Sequence, residues 1–157
     1  MGRFATGVTV VTTEVDGETF GMTATAFMAG SLAPPLCLVC IGHGAKMHAR
    51  LNAAGAFGVS FLSEEQAELA QHFAGRPMAA TRPRFRRLAD MPVLAASVGA
   101  VAADVVGTAE CGDHTLFIGQ ITQSSAEDHE PLLFFRGRYG GLDHEQRLEQ
   151  IAPHSFW

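Results

Sequence analysis

Apolar positions in this chain fall mostly into short runs of strand length, set apart by glycine, proline and aspartate turn signals. Residues 6–15 are rich in valine and threonine and predict a first strand. Asp16-Gly17 is a hairpin signal, and residues 19–27 return as a second strand. Residues 32–35 read as a proline-marked connection, and the continuous apolar run 36–41 predicts a strand buried on both faces. Gly42-His43-Gly44 breaks it. Helical spacing follows in residues 45–54, where Met47, Leu51 and Ala54 recur and Gly55 closes the helix. Residues 57–62 are again a strand. Ser63 and Gln66 have capping-box spacing and open a second helix, with Leu69, Ala70 and Phe73 on its inner face. Residues 75–92 carry Pro77, Pro83 and Pro92 and read as an irregular stretch, a candidate flap. Residues 98–111 and 114–123 form a long hairpin about Gly112-Asp113, residues 132–136 a last strand, and the tail has helical character around 145–151.

About seven strands and two or three helices, without βαβ alternation, predict a closed or nearly closed antiparallel barrel whose ends are covered by helices. No repeat or boundary divides the chain, so residues 1–157 read as one domain.

Composition narrows the function classes. Hydrophobic residues make up 47% and charged residues 17%, as in a folded globule rather than a disordered chain. The net charge of −5 gives no basic field for nucleic acid. The group Arg82, Arg84, Arg86 and Arg87, broken by Pro83, reads as a solvated loop. No apolar run is long enough to span a bilayer, and the start lacks a signal-peptide pattern. Three cysteines, an odd number, fit a reduced cytoplasmic protein.

The local chemistry is sparse. Cys37 and Cys40 have redox or zinc spacing, but residues three apart on a strand face opposite sides, so buried packing is the better reading. The histidines show no metal-hydrolase pairing, so no metal is expected, and no Gly-x-Gly-x-x-Gly follows a strand. Residues 42–46 join a strand to a helix start. Such a turn presents N–H groups to an anion, with Lys46 and His48 adding charge, but an ordinary turn reads the same way. Thr23, Thr25 and Ser31 are hydroxyls suited to a phosphate or ring, and are equally ordinary in strands.

Taken in order, several segments resemble the flavin reductase family of two-component monooxygenase systems. Phe4-Ala-Thr-Gly-Val-Thr-Val-Val-Thr-Thr13 resembles its opening strand, and Gly21-Met-Thr-Ala-Thr-Ala-Phe27 its flavin-cradling strand. Ser31-Leu-Ala-Pro-Pro-Leu36 resembles its Ser-Leu-x-Pro-Pro-Leu connection. Ala54-Gly-Ala-Phe-Gly-Val59, Gly112-Asp-His-Thr-Leu-Phe-Ile-Gly119 and the stretch from Leu132 through Arg136-Gly-Arg-Tyr139 match as well. The likeness covers nearly the whole chain, and the shared order gives it its specificity.

The resemblance implies a mainly β, FMN-binding split β-barrel with a few covering helices, forming a homodimer with flavin in a groove near the interface. It implies hydride transfer from NADH or NADPH to FMN or FAD, and delivery of reduced flavin to a partner oxygenase. By position, Met22, Thr23, Ala24, Thr25 and Ala26 run along the ring. Ser31 and the loop Gly42, His43, Gly44, Ala45, Lys46 and His48 hold the phosphate, with Cys40, Ile41 and Phe73 as further cofactor contacts. His114, the catalytic candidate, and Arg136, Gly137, Arg138 and Tyr139 lie near the nicotinamide. His114 also reads as a purely structural strand-turn residue. The chain departs from the family at Gly44, Ala45 and Met47, where hydroxyls are common, and at Ala29, where serine is common. Its opening strand begins a few residues after Met1, where many relatives carry a preceding helical segment. Two rival readings share the fold: a flavin carrier without enzymatic activity, and a split-barrel oxidoreductase that retains its flavin.

Overall fold

A computed structural model describes residues 2–77 and 81–142, and these are mainly β. The strands are β1 (Thr6–Gly7), β2 (Thr9–Val15), β3 (Glu18–Ala24), β4 (Phe27–Leu32), β5 (Pro35–Gly42), β6 (Ala56–Phe61), β7 (Phe85–Leu88), β8 (Met91–Leu94), β9 (Gly99–Cys111), β10 (His114–Ala126), β11 (Leu133–Phe135) and β12 (Arg138–Gly140). The helices are α1 (Lys46–Ala54) and α2 (Ala67–Phe73), the latter entered through a 3-10 turn, Glu64–Gln66. The helical tail expected around 145–151 lies outside the described residues.

Seven strands pair antiparallel in the order β3-β2-β6-β9-β10-β5-β4. The two outer strands, β3 and β4, are joined by Thr25 and Ala26 alone, a span of at most about 11 Å. The sheet therefore curls on itself. The curl brings Phe27 of β4 against Phe61 of β6, ring centroids 5.0 Å apart, although three strands separate them in the sheet order. Val11, Cys37, Val39, Ile41, Phe57 and Phe117 fill the interior, and α1 adds Met47 and Leu51 to the same cluster. A second cluster joins Val8, Val10, Leu62 and Leu94 to Ala70 of α2.

Local signals account for much of this. Gly55 ends α1 at φ 67°, and its N–H donates to the Leu51 carbonyl. The Ser63 N–H donates to Gln66 Oε1 at 3.0 Å, which starts the turn into α2.

Four expectations are corrected. The run 36–41 is not buried on both faces: Cys37, Val39 and Ile41 point into the core, while Leu38 and Cys40 are half-buried on the other side. Two-sided burial belongs to β2, whose Val10 and Val11 enter different clusters. The opposite facing of Cys37 and Cys40 is as expected, and burial pushes the Cys37 thiol up to about 11. Residues 75–92 are not irregular throughout, because β7 pairs with β8. Pro92 is tolerated in this two-stranded ribbon, which leaves its missing N–H outside a ladder. Nor is the arginine group a free loop. Arg86 donates to Ser125 Oγ at 2.6 Å, and Arg87 pairs with Glu14 at 2.6 Å, tying the ribbon to the main sheet. Finally, the last strand ends at Phe135. Arg136 (φ 50°) and Gly137 (φ 76°) turn the chain into β12, and β1, β11 and β12 form a separate sheet.

Candidate functional site

The half-buried face of β5 is the floor of an apolar cleft of about 500 Å³. Leu38 and Cys40 meet Leu116 of β10, whose Cα is the register partner of Cys40. Thr25, Ala26, Phe27 and Met28 form one wall; Phe4, Thr6 and Phe134 form the other. The Cys40 N–H donates to the Ala26 carbonyl at 3.1 Å, which fixes the β3–β4 junction over the floor. A broad apolar site with backbone at its edge suits a planar aromatic ring.

A second cleft, of about 560 Å³, lies between the helices along β3. Gly21, Met22 and Thr23 come from β3, Ala45, Lys46, Met47 and Arg50 from α1 and its cap, and Phe73, Ala74 and Gly75 from the end of α2. The Phe73 ring lies 2.6 Å from where a Cβ on Gly21 would stand, so only glycine allows this packing. Ala45 caps α1 without a side-chain oxygen, so the first-turn N–H groups receive no side-chain cap. The Thr23 hydroxyl is already committed, donating to the Ala70 carbonyl at 2.7 Å. The apolar and basic clefts approach each other within two residues of chain, at Thr23 and Thr25.

A third cleft, of about 800 Å³, is lined by Ala5, Leu133, Phe135, Arg136, Arg138 and Tyr139. Its Tyr139 ring packs on Phe134, centroids 5.5 Å apart, and Phe134 also walls the apolar cleft. The two sites thus share an aromatic partition.

Three histidines gather where the β9–β10 hairpin meets α1. Glu110 accepts from the Thr115 hydroxyl at 3.2 Å and lies 3.1 Å from His43 Nε2. Thr115 has a single proton and gives it to Glu110, so His48 Nε2, at 2.8 Å, is the donor to Thr115. His48 stacks edge-to-face on Phe117. His114 Nδ1 bonds Asp113 Oδ1 at 2.7 Å, and this hydrogen bond holds the Asp113 carboxyl below its ordinary range. The ring lies beside Gly42, its register partner, with Nε2 3.4 Å from where a Cβ would stand. His114 and Leu116 are two apart on β10, so both face the side of the apolar cleft.

The expected cofactor residues are therefore spread over several places. Met22, Thr23, Ala45, Lys46 and Phe73 line the basic cleft; Thr25, Ala26 and Cys40 line the apolar one; Arg136, Arg138 and Tyr139 line the third. Ile41 is fully buried and Ala24 packs on the core, which leaves their backbones for contact. His43 and His48 turn toward Glu110 and Thr115 rather than into the basic cleft. Ser31 and His114 line none of these clefts. Arg50, Leu38, Leu116, Phe4 and Phe134 are site residues that sequence reasoning passed over. Arg50 was legible in principle, since it stands four residues after Lys46 and so on the same helical face.

The flavin reductase like domain family matches residues 1–143. An NADH-dependent flavin reductase of a Rhodococcus species is 40% identical over 146 residues, covering 91% of this chain and 83% of the relative. The reductase component of a Thermus thermophilus 4-hydroxyphenylacetate 3-monooxygenase is 38% identical over 144 residues, covering 90% of this chain and 92% of the relative. Among solved structures, flavin reductase PheA2 superposes with a TM-score of 0.88 at 43% identity, covering 90% of this chain and 93% of that one. Streptomyces globisporus NADH:FAD oxidoreductase SgcE6, in complex with NAD and FAD fragments, gives 0.84 at 35% identity, covering 93% and 90%. The whole described fold and its clefts fall within the matched region, and the chain belongs to the flavin reductase like domain family.

Proposed function

We propose that this chain is an NAD(P)H:flavin oxidoreductase that reduces FMN or FAD and passes the reduced flavin to a partner oxygenase. One observation carries the reading: an apolar cleft and a basic cleft come within two residues of chain of each other, at Thr25 and Thr23 beside the β3–β4 junction. That pairing fits a ligand with a planar ring at one end and phosphate at the other. The names of the Rhodococcus and Thermus relatives support the nicotinamide and the oxygenase, respectively. Flavin, when bound, accepts the hydride. The chain's part is position and electrostatics. Leu38, Cys40 and Leu116 support the ring, Thr25 and Ala26 offer backbone at its edge, and Lys46 at the uncapped start of α1 attracts phosphate. On this reading Arg138 and Tyr139, in the neighbouring cleft beyond Phe134, lie near the nicotinamide cofactor, whose ring reaches the flavin in the apolar cleft. Steady-state NADH and NADPH oxidation with added FMN or FAD tests the assignment. Flavin binding without nicotinamide oxidation leaves a carrier instead.

His114, braced by Asp113 and on the same face of β10 as Leu116, orients the nicotinamide or the flavin edge. His114→Ala is expected to slow flavin reduction about tenfold or more, with flavin affinity within a few-fold, since the loss is one of orientation. Stopped-flow absorbance over a range of NADH separates the two effects. An unchanged rate and NADH dependence means that His114 is structural.

The same reading makes the curled sheet a split barrel, residues 1–157 one domain, and the active species a homodimer. β4 is an outer strand; Phe4 (79% exposed) and Met28 (58%) line the apolar cleft, and Leu32 (70%) ends the same strand as Met28. Apolar side chains this exposed around one cleft call for a partner surface, and a second copy supplies it with two-fold symmetry. Light scattering at micromolar concentration is expected to give twice the chain mass. A monomer that binds flavin tightly contradicts the interface groove. No helix among the described residues is long and apolar enough to cross a membrane. The three cysteines are unpaired, in keeping with a cytoplasmic place.

A further inference from the structure

We infer that the basic cleft between α1 and α2 binds a diphosphate through Lys46 and Arg50 together, so that the chain favours FAD over FMN. The inference rests on the flavin reading and adds to it the chemistry of the tail.

Lys46 and Arg50 stand one turn apart on α1, about 6 Å along its axis, and both line the cleft. Among the described residues neither has an ion-pair partner, whereas Arg86 and Arg87 are paired with Glu127 and Glu14. No carboxylate among the described residues lines the cleft. In a chain of net charge −5, two unpaired cations on one wall are a concentrated positive site. Arg50 is also held in place: its guanidinium lies over the Phe20 ring, 3.5 Å from the centroid. Stacking fixes the guanidinium plane and leaves its edge N–H groups in the geometry that grips phosphate oxygens. A lone phosphate at the start of α1 engages Lys46. Two bridged phosphates lie close enough to one another to engage both cations. The floor is β3, an outer strand of the sheet.

Lys46 is the only lysine of the 157 residues, which makes the cleft directly readable. An amine-directed acylating reagent, followed by peptide mass spectrometry, reports occupancy at Lys46 in the unaltered protein. FAD and ADP are each expected to slow its acylation about tenfold, and riboflavin much less, the scale of a charge-assisted contact. In fluorescence titrations, Arg50→Met is expected to raise the Kd for FAD about tenfold more than the Kd for FMN, while Lys46→Ala weakens both. Arg50→Lys, which keeps charge but loses the planar fork, is expected to recover only part of the FAD affinity. Three results overturn the diphosphate assignment and leave the flavin reading intact. They are failure of ADP to protect Lys46, protection by inorganic phosphate equal to that by ADP, and equal losses for FMN and FAD in Arg50→Met. Failure of the unaltered protein to bind any flavin sinks the flavin reading itself.

Discussion

Gly58→Val is expected to be strongly destabilising. Gly58 sits in β6, and a Cβ there would stand 2.7 Å from Thr12 Oγ1, 2.8 Å from the Pro92 carbonyl oxygen and 2.9 Å from Val93 Cγ1. Two of these atoms belong to stiff β-branched side chains and the third is backbone, so none yields cheaply. The Pro92 carbonyl is backbone and accepts the Thr12 hydroxyl, which is itself fully buried. Overpacking of this kind costs about 1–3 kcal/mol, occasionally more, and valine carries two methyl groups beyond the Cβ. A loss of about 3 kcal/mol or more is therefore expected, a large part of a typical domain's 5–15 kcal/mol. Urea unfolding measures it. A midpoint equal to the parent's contradicts the close packing of β6 against β2 and β8.

Leu116→Asp is expected to weaken flavin binding about a hundredfold while the fold survives. Leu116 is only half-buried and faces the cleft rather than the core, so its loss leaves no large cavity. An aspartate there sets an ionised carboxylate against a ring that excludes its water, at a cost of several kcal/mol. About 3 kcal/mol corresponds to roughly a hundredfold in Kd. FMN, FAD and riboflavin should lose affinity alike, because the ring is common to all three. Circular dichroism and the urea midpoint check that the fold persists. Flavin affinity within about threefold of the parent's removes the apolar cleft from the ring-binding role.

The parts of the fold legible in the sequence were those with a local cause. Asp16 (φ 53°) and Gly17 (φ 78°) turn as their residue types predict, as does Gly112 (φ 65°). Met47 and Leu51 are buried as their helical spacing demands. The parts that were not legible depend on tertiary partners. β7 and β8 are four residues each, hidden by Pro83 and Pro92, and their strand character comes from pairing with one another. β12 follows a turn in which Arg136 takes a left-handed conformation that arginine does not advertise. By periodicity Leu38 and Cys40 read as core, because a cleft wall and a core wall are equally apolar in sequence; the family resemblance marked Cys40 as a cofactor contact, and the register with Leu116 separates the two walls. The site divides in the same way. The motifs at residues 22–26 and at Lys46 named segments that do line clefts, but the partners of His43 and His48 come from β9 and β10, more than sixty residues away in sequence.

The most direct test of the account is anaerobic mixing of the purified chain and FAD with NADH, followed at the oxidised-flavin absorbance band. With the chain present the band is expected to bleach far faster than with NADH and FAD alone, and Leu116→Asp is expected to remove the acceleration. A bleaching rate equal to that of the mixture without protein, in a sample shown by fluorescence to bind FAD, contradicts it.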